Sequence, residues 1–234
     1  MLLKGLENEG GGCYIMLEDS YKHKGWRMEM VRHLEEKGIS DRRVLDAMAE
    51  VPRHLFLETM LDYMAYEDRA LPIKCGQTIS QPSTVAFQSE LLDAEPEMKV
   101  LEVGTGSGYQ TAVLCTMGLK VFTIERQKEL YDITKPRLER LHYRPKCFLG
   151  DGYRGLPEYG PFDRIIITCG APTVPEELLS QLKVGGVMVV PVGGEHQEML
   201  RIVKTGEGPA DTLRQRYGDC NFVPMLEKLD YGGR

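Results

Sequence analysis

A glycine-rich turn near the middle of the chain has the residue types and spacing to bind a small ligand. Gly104, Gly106 and Gly108 are separated by single residues and follow the apolar segment Lys99–Val103. A glycine turn after a strand lets the backbone approach a ligand closely, and the next helix offers the N–H groups of its first turn. Tyr109 stands where a dinucleotide-binding G-x-G-x-x-G sequence has its last glycine. The turn therefore argues against a dinucleotide pyrophosphate, and with it against a dehydrogenase.

Acidic side chains lie at or near the ends of three neighbouring predicted strands. Glu125 ends the strand at 121–125, where it can accept hydrogen bonds from two ribose hydroxyls. Asp151 follows the strand at 147–149 and can accept from an adenine amino group, and Glu102 can meet a ligand ammonium. Ligands of open parallel sheets bind outside the carboxyl ends of the strands. With the glycine turn, these acids predict an adenosyl ligand that carries an amino-acid part, as S-adenosylmethionine does in methyltransferases.

Short apolar strands alternate with helical segments from residue 99 onward. Strands are predicted at 99–103, 121–125, 147–149, 164–168 and 187–190, followed by antiparallel strands near 198–204 and 220–226. Continuous apolar strands separated by helices are typical of a parallel sheet with helices on both faces. The sequence therefore predicts an α/β fold with a doubly wound, mostly parallel seven-stranded sheet.

The chain divides into three parts within one structural domain. Residues 1–24 mix glycines and charges without periodicity, which predicts a flexible leader. Residues 25–97 are predicted to be a helical N-terminal extension that carries Ser80. Residues 98–234 are predicted to be the ligand-binding α/β core.

Several helix ends are predicted from single residues. Apolar residues recur at helical spacing from Trp26 onward, which predicts the first helix. Ser40 is expected to be the N-cap of the second helix. Thr173 and Glu176 have the spacing of a capping box, and the helix that they open is expected to end at Gly185.

Composition and charge disfavour several classes of protein. The 234 residues carry 29 Lys and Arg against 35 Asp and Glu, a net charge of −6, whereas nucleic-acid binding by many phosphate contacts usually needs the opposite sign. No apolar run reaches the ~20 residues that span a bilayer, and the N-terminus lacks the apolar region of a signal peptide. The six cysteines form no C-x-x-C pair, and the five histidines have no metal-ligand spacing. We therefore expect a cytoplasmic protein without a metal, a membrane contact or a nucleic-acid partner.

Three short segments outside the glycine turn are distinctive. They read V-P-R-H-L-F at 51–56, I-S-Q-P at 79–82 and F-V-P at 222–224. With further matches between about residues 26 and 226, they make the chain resemble the protein-L-isoaspartate (D-aspartate) O-methyltransferase family. Because the glycine turn is shared by many methyltransferases, these segments carry the resemblance.

The resemblance implies a fold, a reaction and a set of residues. The fold would be the Rossmann-like fold of class I methyltransferases. The reaction would be methyl transfer from S-adenosylmethionine to the free α-carboxylate of L-isoaspartyl residues, which initiates the repair of damaged peptides and proteins and leaves S-adenosylhomocysteine. The chain would act as a monomer on isoaspartyl-containing peptides and proteins, and Ser80 would be its catalytic-site residue. The cofactor-binding residues indicated by the glycine turn and the resemblance are Gln77, Thr78, Ile79, Ser80, Val85, Glu102, Gly104, Thr105, Gly106, Gly108, Glu125, Asp151 and Gly152.

The segment 222–224 would be the substrate-binding part of the chain. By resemblance, it borders the cleft that takes an extended substrate segment and bonds it through backbone groups. From the pattern alone it is predicted to end an edge strand. Its residues are Phe222, Val223 and Pro224.

The reaction mainly requires that the acceptor carboxylate be correctly oriented. The acceptor carboxylate has a pKa near 4, so at pH 7 it is already a nucleophile and needs no general base. Ser80 could donate one hydrogen bond to this carboxylate without neutralising it, and we expect it to orient the acceptor rather than attack. The alternative is that Ser80 caps the helix that begins near Pro82.

Two other functions stay open from the sequence. A methyltransferase could act on a small molecule or on RNA, although the acidic charge argues against RNA and the I-S-Q-P segment against both. A cofactor-binding protein that has lost catalysis would also keep Gly104, Glu125 and Asp151. The intact segment around Ser80 argues against such a protein, and a turnover assay separates the two.

Overall fold

A seven-stranded sheet forms the centre of the molecule. The structure is a computed structural model and describes residues 19–208 and 210–231. The strand order is β5-β4-β3-β6-β7-β8-β9, with parallel pairing from β5 to β7 and antiparallel pairing from β7 to β9. The predicted doubly wound, mostly parallel seven-stranded sheet is confirmed.

The elements have the following bounds. The strands of the large sheet are β3 (Lys99–Val103), β4 (Lys120–Glu125), β5 (Lys146–Leu149), β6 (Phe162–Ile167), β7 (Leu182–Gly193), β8 (Gln197–Lys204) and β9 (Thr212–Cys220). A separate antiparallel pair is formed by β1 (Leu71–Pro72) and β2 (Thr78–Ile79). The α-helices are α1 (Tyr21–Glu36), α2 (Arg42–Glu50), α3 (Pro82–Leu92), α4 (Tyr109–Thr116), α5 (Lys128–Arg140) and α6 (Glu176–Ser180). Within the part of the chain that the structure describes, no helix has the length and apolarity to cross a membrane.

The N-terminal extension begins earlier than predicted. Helix α1 starts at Tyr21, with Ser20 as its N-cap, so the end of the predicted leader is helical; residues 1–18 lie outside the described part. Asp41, not Ser40, caps α2, because its carboxylate accepts the backbone N–H of Arg43 at 2.9 Å. The Ser40 hydroxyl instead donates to Glu90 of α3 at 3.0 Å. The polar residues between α1 and α2 therefore tie both helices to α3.

The segment after β6 differs from the prediction. Thr173 is exposed and caps nothing, and α6 begins at Glu176, directly after the buried Pro175. The helix ends at Ser180, and Gly185 lies within β7. The pairing of β6 with β7 shifts register there, so residues 183–186 bulge out of the sheet. The glycines accommodate this bulge rather than ending a helix.

The last strand also lies elsewhere than predicted. Strand β9 covers Thr212–Cys220, and residues 221–226 form no strand beyond an isolated bridge between Pro224 and Gly170. Because β9 is an edge strand that no helix covers, seven of its nine residues are exposed, and its sequence lacks the apolar alternation that marks a half-buried strand. Phe222 and Met225 are buried because they fold back towards the parallel part of the sheet.

The sheet has a hydrophobic core on each face. Successive side chains of a strand point to opposite faces, so Val100 packs in one cluster and Leu101 in the other. The first cluster includes Leu34 of α1 and Met48 of α2, which joins the N-terminal extension to the sheet. The second cluster includes Leu178 of α6. The extension thus shares the core of the α/β part and holds the β2–α3 segment against the sheet.

Shortening Leu34 tests whether α1 belongs to this core. Leu34 is fully buried, so Leu34→Ala should lower the free energy of unfolding by about 2–5 kcal/mol in urea denaturation. Met28→Ala on the same helix is the control, since Met28 is 52% exposed and its truncation leaves no cavity. Equal stability of the two variants would contradict the packing of α1 described above.

Candidate functional site

A cleft opens where β3, β4 and β6 end. Strand β3 pairs with β4 on one side and with β6 on the other, so the chain reverses its direction across the sheet at β3. This is the position at which open parallel sheets bind ligands. The cleft has a cavity volume of about 100 Å³. The residues predicted from the sequence that line it are Gln77, Thr78, Ile79, Ser80, Val85, Gly104, Thr105, Gly106, Glu125, Gly152, Val223 and Pro224.

The glycine turn forms one wall of the cleft. Gly104 has φ +98°, and a Cβ there would lie 2.5 Å from Oγ1 of Thr168. The same Thr168 hydroxyl donates to the carbonyl of Gly104 at 2.7 Å, which fixes the start of the turn. Gly108 has φ +88° and is the N-cap of α4. The sequence predicted it as a cofactor-binding residue, but it does not line the cleft. A Cβ at Gly108 would lie 2.8 Å from Thr134, so its role is close packing against α5.

Glu125 is held in a single orientation at the end of β4. The backbone N–H of Gly106 donates to one carboxylate oxygen at 2.8 Å, and the N–H of Gln127 donates to the other at 2.9 Å. Glu125 is 5% exposed and lines the cleft. Each carboxylate oxygen accepts about two hydrogen bonds, so both keep capacity for a ligand. The geometry suits a pair of neighbouring hydroxyls.

Glu102 does not lie in the cleft. Its side chain is on the same face of β3 as Val100, where α4 covers it completely. The Thr111 hydroxyl donates to one carboxylate oxygen at 2.5 Å, and the other oxygen is buried without a partner in the described chain. Burial raises the pKa of Glu102 to about 7, although the hydroxyls of Thr111 and Thr123 lower it. Glu102 thus does not line the cleft, and a contact between it and the ligand stays a prediction of the sequence.

Asp151 also lies outside the cleft lining. Its carboxylate accepts the backbone N–H of Tyr153 at 3.0 Å and that of Lys228 at 3.1 Å, so it ties the turn after β5 to the C-terminal segment. Its neighbour Gly152 does line the cleft, and a Cβ there would lie 2.6 Å from Val103. The turn after β5 therefore approaches the cleft through the backbone of Gly152, and the contact of Asp151 with an adenine stays a prediction of the sequence.

Ser80 lies directly after β2, at the boundary between two cavities. It lines the cleft and also a second pocket of about 50 Å³, which Phe222 and Val223 border on the other side. Gln81, not Ser80, is the N-cap of α3, so the capping alternative is not supported. Within residues 19–208 and 210–231 no group bonds the Ser80 hydroxyl, which leaves it able to donate.

Four residues form the passage between the two cavities. The cleft and the second pocket are lined in common by Thr78, Ser80, Thr168 and Val223. Phe222 lines only the second pocket, and both its backbone N–H and its carbonyl are already bonded to the side chain of Gln197. The N–H of Phe222 is therefore unavailable to a substrate, whereas its carbonyl oxygen keeps a second lone pair that can accept. A group bound in the second pocket would face a cleft-bound ligand across these four residues.

Several lining residues were not predicted from the sequence. They follow the ends of β4 and β6, start α4, or extend the C-terminal segment: Arg126, Gln127, Thr168, Cys169, Tyr109, Gln110, Met225 and Leu226. Some of them could have been found from their positions directly after predicted strands, because the carboxyl ends of parallel strands lie at one edge of the sheet. Nothing in their residue types marks them as ligand contacts.

A cluster of possible metal ligands lies at the start of α1, away from the cleft. Asp19, His23 and His54 bring ligand atoms within 4.8 Å of one another, which their spacing in the sequence does not indicate. Protein groups hold them, because Arg27 donates to both oxygens of Asp19 and His23 pairs with Asp62 at 2.9 Å. The cluster fastens the start of α1 to the extension.

Comparison with known proteins identifies the family. The profile of the family described as protein-L-isoaspartate(D-aspartate) O-methyltransferase matches residues 26–230. The chain belongs to this family. The predicted family and the predicted class of enzyme, an O-methyltransferase, are confirmed.

Individual relatives cover nearly the whole chain. A protein-L-isoaspartate O-methyltransferase of Christiangramia forsetii is 54% identical over 212 residues, which are 90% of this chain and 99% of the relative. One of Cytophaga hutchinsonii is 52% identical over 213 residues, 91% of this chain and 96% of the relative.

Solved structures of similar proteins share the fold. One protein-L-isoaspartate O-methyltransferase superimposes with a TM-score of 0.79 at 31% identity and covers 87% of this chain and 67% of its own. A Plasmodium falciparum protein, solved in complex with S-adenosyl-L-homocysteine, superimposes with a TM-score of 0.74 at 24% identity. The match covers 86% of this chain and 98% of that protein. At 24% identity, the similarity to the Plasmodium falciparum protein shows only a shared fold.

The buried Glu102 should be visible in the pH dependence of stability. In the unfolded chain the pKa of a glutamate is near 4.3, whereas the pKa of Glu102 in the fold is about 7. Between these two pH values the folded state therefore binds more protons than the unfolded state. Stability should fall as the pH rises through this window. Glu102→Gln removes the titration, so its stability relative to the unaltered protein should increase with pH by up to about 4 kcal/mol in urea denaturation. The exposed Glu177→Gln is the control, and parallel curves for all three proteins would contradict the burial of a titrating Glu102.

Proposed function

We propose that this chain transfers a methyl group from S-adenosylmethionine to the free α-carboxylate of L-isoaspartyl residues in damaged peptides and proteins. The observation that carries the proposal is the position of Ser80, whose unpartnered hydroxyl lies between a ligand cleft and a second pocket. Membership of the family supports the reaction. A monomeric state and a cytoplasmic location stay predictions of the sequence.

The cleft residues fit S-adenosylmethionine, which supplies a methyl group on a sulfonium sulfur when bound. We assign the ribose hydroxyls to Glu125, whose carboxylate is already oriented by two backbone N–H groups. The backbone of Gly104 and Gly106 lets the ligand approach β3 closely, and Gly152 does the same after β5.

The second pocket would hold the isoaspartyl carboxylate. Its walls near Ser80 offer hydroxyl groups and no ammonium or guanidinium group, since Ala70, Thr78, Gln81, Thr84 and Asn221 complete the lining. A lysine or arginine would stabilise the bound carboxylate strongly before the reaction, and that would raise the barrier to its attack. Ser80 donates one hydrogen bond instead, which orients the carboxylate and leaves it nucleophilic. Orientation of this kind can supply up to about 7–11 kcal/mol of the barrier.

Replacing Glu125 tests the cofactor side of the proposal. Glu125→Gln should weaken binding of S-adenosylhomocysteine at least about tenfold, because a charged acceptor contributes about 1.5–3 kcal/mol for each hydrogen bond. Isothermal titration calorimetry measures the change. Glu129→Gln is the matched control, as Glu129 is an exposed acid on the neighbouring α5 that does not line the cleft. An unchanged affinity in Glu125→Gln would remove Glu125 from the site.

Replacing Ser80 tests the acceptor side. Ser80→Ala should lower kcat for an isoaspartyl peptide by about tenfold or more, since one oriented hydrogen bond to a charged group is lost, and should change the Kd of S-adenosylhomocysteine less than twofold. Ser83→Ala serves as the control, because Ser83 lies in the first turn of α3 and lines neither cavity. If Ser80→Ala and Ser83→Ala turn over alike, Ser80 does not orient the acceptor.

A further inference from the structure

Gln197, at the start of β8, bonds the backbone of Phe222 with both ends of its side-chain amide. The amide nitrogen donates to the carbonyl of Phe222 at 3.0 Å, and the amide oxygen accepts the backbone N–H of Phe222 at 2.8 Å. Gln197 is 6% exposed, so water competes little for these bonds. The side chain therefore pairs with Phe222 as a neighbouring strand would, although residues 221–223 belong to no strand.

Gly170, directly after β6, leaves the space that this amide occupies. A Cβ at Gly170 would lie 2.3 Å from the amide nitrogen of Gln197. The backbone of Gly170 bonds the same segment further along, because its N–H donates to the carbonyl of Val223 at 2.8 Å and its carbonyl accepts the N–H of Met225 at 2.8 Å. Four hydrogen bonds from Gln197 and Gly170 thus fix residues 222–225 over the carboxyl ends of the parallel strands.

This segment forms the wall of the second pocket opposite Ser80. Phe222 and Val223 both line that pocket, and Val223 also lies in the passage to the cleft. The hydrogen bonds to Gln197 lie behind the wall, since Gln197 lines neither cavity. Its effect on a bound acceptor must therefore pass through Phe222.

We propose that Gln197 is a positioning residue for the acceptor peptide, because it fixes Phe222 and with it the width of the second pocket. The inference rests on the proposed function, in which that pocket takes the isoaspartyl segment. Loss of the two hydrogen bonds lets the wall move away from the acceptor. The backbone hydrogen bonds that orient Glu125 do not depend on this wall, although Val223, Pro224 and Met225 also line the cleft. The inference therefore predicts a larger defect in peptide affinity than in cofactor affinity, with little change in turnover.

Gln197→Met removes both hydrogen bonds and keeps the length of the side chain. With an isoaspartyl peptide, its KM for the peptide should rise about fivefold or more, which is the order expected for one net hydrogen bond. Its kcat should stay within twofold of the unaltered protein, and its Kd for S-adenosylhomocysteine should change by a smaller factor than its peptide KM. Gly170→Ala should raise the same KM, because the added Cβ displaces the amide of Gln197. The double variant should be little worse than Gln197→Met, since both changes release the same contact.

Gln181→Met is a matched control for a purely structural effect. Gln181 also bonds a backbone segment with both ends of its amide, accepting from the N–H of Leu156 at 2.8 Å and donating to the carbonyl of Arg154 at 2.9 Å. It also fills the space beside a glycine, Gly155, but lines neither cavity. Gln181→Met should lower the melting temperature to a similar extent and leave the peptide KM unchanged.

The outcomes separate the inference from the function on which it rests. No methyl transfer by the unaltered protein would overturn the proposed function, and this inference with it. Transfer by the unaltered protein with the same peptide KM in Gln197→Met and Gln181→Met would overturn the inference alone. A rise in KM restricted to Gln197→Met and Gly170→Ala would support it.

Discussion

Parallel pairing of β3 with β4 and β6 is the constraint from which the functional site follows. Parallel strands bring their carboxyl ends to one edge of the sheet, and the chain leaves that edge by the glycine turn after β3. The backbone N–H of Gly106 then reaches the carboxylate of Glu125 at the end of β4. Two segments from outside the parallel strands close the cleft: residues 77–80, held by the helical extension, and residues 222–225, held by Gln197 and Gly170.

The arrangement of polar groups suits the transfer of a methyl group to a carboxylate. Such an acceptor is ionised at neutral pH, so the protein needs to place it rather than to remove a proton. The charged groups, Glu125 and Arg126, lie on the cofactor side, and the acceptor side near Ser80 carries neutral hydroxyl groups. The passage between the two cavities is built from side chains of β2, β6 and the C-terminal segment. These elements are distant in the sequence, and the hydrophobic interior that the extension shares with the core brings them together.

The sequence predicted the parallel part of the fold and about half of the site. Buried parallel strands are continuous apolar runs, so β3 was predicted with its observed ends, and Glu125 and the glycine turn followed from it. The burial of Glu102 under α4 was not predicted, because a residue's type does not reveal which face of a strand it occupies. Strand β9 was misplaced because an edge strand exposed on both faces has no apolar periodicity. Gln197 could not be predicted, since its partners depend on a fold-back that brings Phe222 beside β8.

The measurement that tests the central claim most directly is methyl transfer from labelled S-adenosylmethionine to two peptides of one sequence. One peptide contains L-isoaspartate and the other normal L-aspartate, and the base lability of the label identifies a carboxyl methyl ester. We predict base-labile label on the isoaspartyl peptide alone. Equal labelling of both peptides would contradict the assignment of the second pocket to an isoaspartyl carboxylate. An absence of label on either peptide, with S-adenosylmethionine still bound, would contradict the proposed function.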